Sequence, residues 1–86
     1  EALKPAYKIW LDFGSDVGIR KTSAQITAHY EPEGLVGKQV AGVMNFLPKQ
    51  IGNFMSEVLL LGFPDSEGEV VLIGVDQIIP NGGQLF

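Results

Sequence analysis

The chain has 86 residues, 45% of them hydrophobic, and a formal net charge of −4 from ten acidic and six basic side chains. That is enough material for one domain with one modest core, and it leaves no room for a second. The acidic balance argues against tight, sequence-independent binding to a phosphate backbone. Because cysteine is absent, a disulfide framework and a cysteine-based zinc site are both excluded.

Two further absences bear on the compartment. No apolar run approaches the roughly 20 residues that a membrane-spanning helix needs. The N-terminus lacks the charged region, apolar stretch and cleavage site of a signal peptide. The sequence therefore predicts a soluble, cytoplasmic protein that does not insert into a membrane.

The first predicted elements form a hairpin. Apolar and more polar residues alternate from Ala6 to Phe13, which predicts a half-buried strand. Trp10 falls on the polar face, where a partner or another segment should cover it. Turn residues follow at 14–18, and a second strand is predicted from Ile19 to Gln25. The two strands are expected to pair.

Two short helical turns are predicted next, at Ile26–Tyr30 and Glu31–Gly34. In the second, a proline is tolerated early and acidic residues suit the start of a helix. Both turns are too short to be more than connectors. A third strand is predicted from Gln39 to Met44.

A central loop is predicted from Val43 to Glu57. Pro48 cannot donate to a strand ladder and Gly52 permits an unusual backbone angle, so neither helix nor strand is expected to run through this stretch. Loops on a rigid scaffold often carry binding groups. The large apolar side chains of the loop are candidates for binding a ligand. For each of them, packing onto the core is an equally weighted alternative. They are Phe46, Phe54 and Met55.

The last third of the chain predicts two more strands. Val58–Phe63 is apolar at consecutive positions, which suits a strand covered on both faces, one of them by a second copy of the chain. A turn at 65–69 leads to a final strand at Val70–Ile73, and the chain ends on the apolar pair Leu85 and Phe86. Short strands with small helical turns predict an all-β fold, an open or closed barrel one strand short of five.

Motifs for catalysis are missing from the sequence. His29 has no second histidine or cysteine beside it, so a structural or surface role is favoured over a metal site or a general base. The glycines form neither a phosphate loop nor a dinucleotide fingerprint. The acidic residues lie mainly in turns, and no serine has a recognisable activating partner. The sequence predicts a binding protein without catalytic residues, metal or cofactor.

Several collinear segments resemble the CsaA family of secretion chaperones, which is part of the wider group of tRNA-binding domains also found in methionyl-tRNA synthetases. The segments are Ser23–Thr27, Tyr30–Lys38, Val43–Gly52, Ser56–Gly62 and Pro80–Gly82. The resemblance implies a five-stranded oligonucleotide/oligosaccharide-binding (OB) fold and a homodimer without catalytic activity. Residues 1–86 are then a single OB-fold domain of tRNA-binding type, incomplete at its N-terminus because the family's first barrel strand precedes the point that matches Glu1. An incomplete barrel would expose sheet edges.

The resemblance also implies a choice between two ligands. In tRNA-binding members the loop carries an Asn-Leu-Lys-Pro type segment and a later Ser-x-Gly-Met. Asn45 and Ser56 match this pattern, whereas Val58 and Leu59 replace its Gly and Met and the lysine follows the proline, at Lys49. This is the CsaA form, which implies binding of unfolded or preprotein segments by Phe46, Phe54 and Met55. The alternative is tRNA binding, for which the candidate residues are Arg20, Lys21, Asn45, Lys49 and Ser56.

Overall fold

The computed structural model of the protein describes residues 5–85. Its strands are β1 (Tyr7–Asp12), β2 (Ile19–Ala24), β3 (Gly42–Val43), β4 (Lys49–Ile51), β5 (Phe54–Ser56), β6 (Leu59–Leu60), β7 (Gly62–Pro64) and β8 (Val70–Leu72), and its helices are α1 (Gly14–Val17) and α2 (Pro32–Leu35). The strands pair antiparallel as β1 with β2, β3 with β6, β4 with β5, and β7 with β8. The all-β prediction is confirmed, and residues 5–85 form an open arrangement in which the second edge of β1 has no strand partner.

The predicted N-terminal hairpin is present. Half-buried and exposed positions alternate along β1, as the sequence predicted. In the register of the two strands, Trp10 lies opposite Lys21 and Leu11 lies opposite Arg20. Since neighbouring residues of a strand point to opposite faces, Arg20 and Lys21 lie on opposite faces of this hairpin.

The prediction of a helical turn between Ile26 and Tyr30 is wrong, because only a non-helical turn occurs there. Long-range hydrogen bonds hold this segment instead of a local helical ladder. The Tyr7 hydroxyl donates to the Tyr30 carbonyl at 2.7 Å, and the Tyr30 hydroxyl accepts the backbone N–H of Leu72 at 2.8 Å. The next predicted turn is confirmed as α2, with proline at its start.

The third and fourth predicted strands are shorter than expected. Only β3 and an isolated bridge between Val40 and Gly74 represent the strand predicted before the loop. The run predicted as one strand from Val58 to Phe63 is divided into β6 and β7, which pair with different partners. Leu59 and Phe63 are 59% and 65% exposed, so the described part of the chain does not cover this run on both faces.

The prediction of an irregular central loop is wrong, because β4 and β5 form a hairpin inside it. Pro48 lies immediately before β4, where its missing N–H costs the ladder nothing. Gly52, with a φ of +61°, lies in the turn between the two strands, which is a position that favours glycine. Pro48 and Gly52, which the sequence analysis treated as breakers of regular structure, therefore mark the ends of these strands.

A small core holds these hairpins together. Ile26 and Val58 are its buried apolar residues, and the hydroxyl side chains of Thr22 and Ser56 are buried beside them. The predicted final strand is confirmed as β8. The sites of two sequence-based expectations, the missing strand before Glu1 and the apolar end at Phe86, lie outside the described residues.

Candidate binding surfaces

An open groove of about 1050 Å³ runs between β2 and the segment after it on one side and the loop before β4 on the other. Parts of β5, β6 and the turn before β8 complete its walls. Its main apolar lining residues are Ile26, Phe46, Leu47, Ile51, Val58, Leu59 and Leu60. Phe46, Leu47 and Ile51 are 38%, 89% and 41% exposed, so this wall presents apolar surface to an incoming ligand.

The two buried hydroxyl groups among the lining residues, those of Thr22 and Ser56, are occupied by bonds within the chain. The Thr22 hydroxyl donates to the Val58 carbonyl at 2.5 Å, and the Thr22 and Ser56 hydroxyl oxygens lie 3.0 Å apart. The Ser56 hydroxyl also accepts the backbone N–H of Ser23 at 3.1 Å. Because these groups are already paired, this part of the groove has little need for a ligand of fixed hydrogen-bonding pattern.

A second surface lies on the β1–β2 hairpin and is here called the Trp10 cluster, consisting of Lys8, Trp10, Lys21 and Phe54. The Trp10 and Phe54 rings meet edge to face, with centroids 6.0 Å apart and planes at 85°. The ammonium groups of Lys8 and Lys21 lie 5.3 and 5.1 Å from the centroid of the Phe54 ring. Trp10 nevertheless remains 61% exposed, so its contact with Phe54 covers it only in part.

The structure divides the residues that the sequence grouped as a peptide site. Phe46 lines the groove, whereas Phe54 belongs to the Trp10 cluster. Met55 is 39% exposed in β5. Phe46 lies two residues after the strand predicted from Gln39 to Met44 but is exposed, whereas Phe54 is half-buried. The hairpin that the sequence reading missed is the reason, because it carries Phe54 back against β1 and β2.

The predicted nucleic-acid residues are likewise divided. Lys21 is part of the Trp10 cluster, and Lys49 and Ser56 line the groove. Asn45 is exposed just before the groove, and Arg20 lies on the opposite face of the hairpin from Lys21. Ser56 is only 7% exposed, and its part in binding stays a prediction. Sequence reasoning missed Lys8, although its position two residues before Trp10 on a strand placed both side chains on one face.

One contact within salt-bridge distance is present among residues 5–85, between His29 Nε2 and Asp65 Oδ2 at 2.6 Å, and it is an ion pair when His29 is protonated. The hydrogen bond from His29 and those from the backbone N–H groups of Glu69 and Glu67 hold the pKa of Asp65 below its ordinary value of 3.8. The pair joins the turn after β2 to the turn before β8. Within the same residues, no cluster of three potential metal ligands occurs, and no helix is long and apolar enough to cross a membrane.

Comparison with known proteins places these surfaces in context. The family described as "Putative tRNA binding domain" matches residues 1–84. The crystal structure of the chaperone CsaA from Bacillus anthracis str. Ames has a TM-score of 0.90 and 43% identity, over 96% of this chain and 74% of that chain. The CsaA chaperone from Picrophilus torridus has a TM-score of 0.89 and 45% identity, over 100% of this chain and 78% of that chain. The resemblance to CsaA and the OB-like all-β fold are confirmed.

Methionine–tRNA ligases are also similar to this chain. The ligase of Methanocaldococcus jannaschii is 34% identical over 82 residues, which are 95% of this chain and 12% of the ligase. The ligase of Bacillus subtilis is 31% identical over 78 residues, or 91% of this chain and 11% of the ligase. The chain thus spans only a small part of the length of these curated relatives.

Proposed function

Because this chain belongs to the tRNA-binding domain family and is similar to CsaA chaperones, we propose that it is a non-catalytic, cytoplasmic chaperone that binds apolar segments of unfolded proteins or preproteins. The observation that carries this proposal is the groove of about 1050 Å³ with its exposed apolar wall. That volume slightly exceeds the roughly 300 to 1,000 Å³ of small-molecule sites, so several side chains of an extended peptide can be accommodated.

The chemistry of the groove suits ligands of varied sequence. Burial of apolar surface is not directional and contributes about 25 cal/mol per Å² removed from water. The hydroxyls of Thr22 and Ser56 are paired within the chain, so they place no demand on the ligand. The formal charge of −4 further favours precursors with basic N-terminal segments through complementary attraction.

Titration of a labelled, unfolded preprotein peptide tests this proposal. Phe46→Ala should weaken peptide binding by about 1 to 3 kcal/mol, because it truncates an aromatic side chain on the apolar wall. Ile78→Ala is the matched control, since Ile78 is 93% exposed and does not line the groove. Equal peptide affinities for the two variants would contradict a role for the groove.

The second candidate function is tRNA binding, and the position of Lys21 beside the Phe54 ring favours it. Cations next to aromatic side chains are typical of proteins that bind single-stranded nucleic acid. Lys49 and Asn45 supply further polar groups near the groove. In a gel-shift titration with tRNA, Lys49→Glu should abolish retention if this loop contributes. An unchanged affinity and salt dependence would remove Lys49 from the site.

Exposed apolar residues on β7 and β8 support a homodimer. Phe63 lies opposite Val71 in the β7–β8 register, and these residues are 65% and 42% exposed. A second copy covering these side chains would remove apolar surface from water. Light scattering at micromolar concentration should give the mass of two chains, and the mass of one chain would contradict the proposal.

A further inference from the structure

The Trp10 cluster lies outside the groove, and none of its four residues lines it. We propose that this cluster binds an unpaired base of single-stranded RNA, with Trp10 as the stacking surface and with Lys8 and Lys21 contacting the adjoining phosphates. The inference deepens the second proposed function, RNA binding, and rests on it. It assigns a place and a mode of binding that the loop residues alone do not provide.

The first step of the argument is the geometry of Trp10. Its edge-to-face contact with Phe54 fixes the orientation of the indole ring, while 61% of the residue stays exposed. An exposed and oriented aromatic ring loses little conformational freedom when a ligand stacks on it. Base–aromatic stacking accepts any base, because every base has a π-face. Trp10 is therefore suited to sequence-tolerant binding of a base.

The second step concerns the charges of Lys8 and Lys21. The only ion pair among residues 5–85 joins His29 to Asp65, so no described carboxylate forms a salt bridge with either lysine. Contact with the Phe54 ring positions both ammonium groups and leaves their hydrogen-bond donors available. In a chain with ten acidic and six basic residues, two such lysines beside one tryptophan form a local basic site.

Two carboxylates lie near the cluster, and both are directed to backbone groups. Asp12 Oδ1 accepts the N–H of Gly14 at 2.9 Å, and Glu57 Oε1 accepts the N–H of Lys21 at 3.0 Å. Each carboxylate thus accepts a hydrogen bond from the backbone and does not pair with the ammonium group of Lys8 or Lys21. Neither carboxylate forms a salt bridge with Lys8 or Lys21, so both ammonium groups keep N–H donors for a phosphate.

The third step decides between possible occupants. A two-fold dimer through this surface would bring the lysines of one copy against those of the other, and like charges repel. A base-paired duplex keeps its base faces stacked within the helix, so they are not available to Trp10. Single-stranded RNA offers both a free base face and phosphates, which matches the aromatic and cationic groups of the cluster.

The test follows the fluorescence of Trp10, the single tryptophan of the chain, during titration with an unstructured RNA oligonucleotide. The single strand should quench this fluorescence, and the same strand annealed to its complement should quench it far less. Trp10→Ala, followed by anisotropy of labelled RNA, should raise the Kd about 5- to 150-fold, the range expected for one stacked base. Ile78→Ala should leave the Kd unchanged.

Salt dependence tests the lysines separately. Lys21→Gln should lower the slope of log K against log salt concentration by about 0.7, the value for one phosphate contact on a single strand. Lys38→Gln is the matched control, because it removes the same charge from an exposed lysine that lies outside the cluster. Trp10→Ala should leave the slope unchanged because it removes no charge.

Different failures have different meanings. Equal RNA affinities for Trp10→Ala and Ile78→Ala would overturn the inference. If Lys49→Gln abolished binding while the cluster variants kept it, RNA binding would stand and the cluster would not be its site. If Trp10→Ala dissociated a dimer at unchanged RNA affinity, the cluster would be a subunit interface. Absence of RNA binding by the wild-type protein would overturn both the second proposed function and this inference.

Discussion

Replacing Thr22 by valine should destabilise the whole domain. Thr22 is 1% exposed, and its hydroxyl lies 2.5 Å from the Val58 carbonyl and 3.0 Å from the Ser56 hydroxyl. Valine has nearly the same shape as threonine, so the substitution removes the hydroxyl without opening a large cavity. The loss of stability should therefore measure the hydrogen bonds that join β2 to β5 and to Val58, the residue before β6.

The expected magnitude follows from the groups left behind. A hydrogen bond contributes about 0.5 to 1.5 kcal/mol net, and a buried polar group left without a partner costs about 1 to 3 kcal/mol. The Ser56 hydroxyl is 3.4 Å from the same Val58 carbonyl, so it can turn to this acceptor, and the substitution then removes one hydrogen bond without leaving either group unpaired. We expect Thr22→Val to lower the free energy of unfolding by about 0.5 to 1.5 kcal/mol.

Urea unfolding followed by Trp10 fluorescence measures this change, and a thermal melt checks it. For a domain of this size each kcal/mol lowers Tm by about 4 to 8 °C. Ser56→Ala should also destabilise the domain, and the double variant should show a coupling of about 0.5 to 3 kcal/mol, since the two hydroxyls share one network. A loss below about 0.5 kcal/mol for Thr22→Val would refute this reasoning, because an ordinary surface substitution changes the free energy of unfolding by that amount.

Three further predictions concern other parts of the fold. Phe54→Ala should lower the affinity for single-stranded RNA and leave peptide binding in the groove unchanged, as the paired titrations would measure. Gly82→Ala should lower Tm more than Gly18→Ala, because both glycines have positive φ but only a Cβ at residue 82 would collide with backbone atoms, those of Phe13. Asp65→Asn should lower Tm at neutral pH, and its difference from the wild type should shrink in melts at acidic pH. The folded-state pKa of Asp65 lies below 3.8, so its stabilisation is present above that value and is lost as the pH falls through the folded-state pKa.

The sequence predicted best the elements whose residues alternate over several positions. The β1–β2 hairpin has six residues in each strand, which gives the pattern enough length to distinguish its two faces. β4 and β5 have three residues each; all three residues of β4 are exposed, and the alternation in β5 covers only three positions. The presence of Pro48 and Gly52 therefore outweighed a weak strand signal, although both residues lie outside the paired positions.

The binding residues were harder to predict because their grouping depends on which segments meet. Phe46 and Phe54 are close in the sequence, but the β4–β5 hairpin separates them and brings Phe54 to Lys21 and Trp10. Ser56 was predicted as a ligand contact from a motif, and its burial depends on contacts with Thr22 and Val58 in other strands. Such contacts leave no periodic trace in the sequence.

The same two strands support both proposed surfaces, which decides how binding defects should be interpreted. β2 provides Lys21 to the Trp10 cluster and Thr22 to the groove, and β5 provides Phe54 and Ser56 in the same way. A variant that disturbs the Thr22–Ser56 network should therefore weaken peptide and RNA binding together and also lower Tm. A variant of an exposed group, such as Trp10 or Phe46, should affect one ligand at an unchanged Tm. Loss of a single ligand without loss of stability is thus the result that identifies a binding residue in this fold.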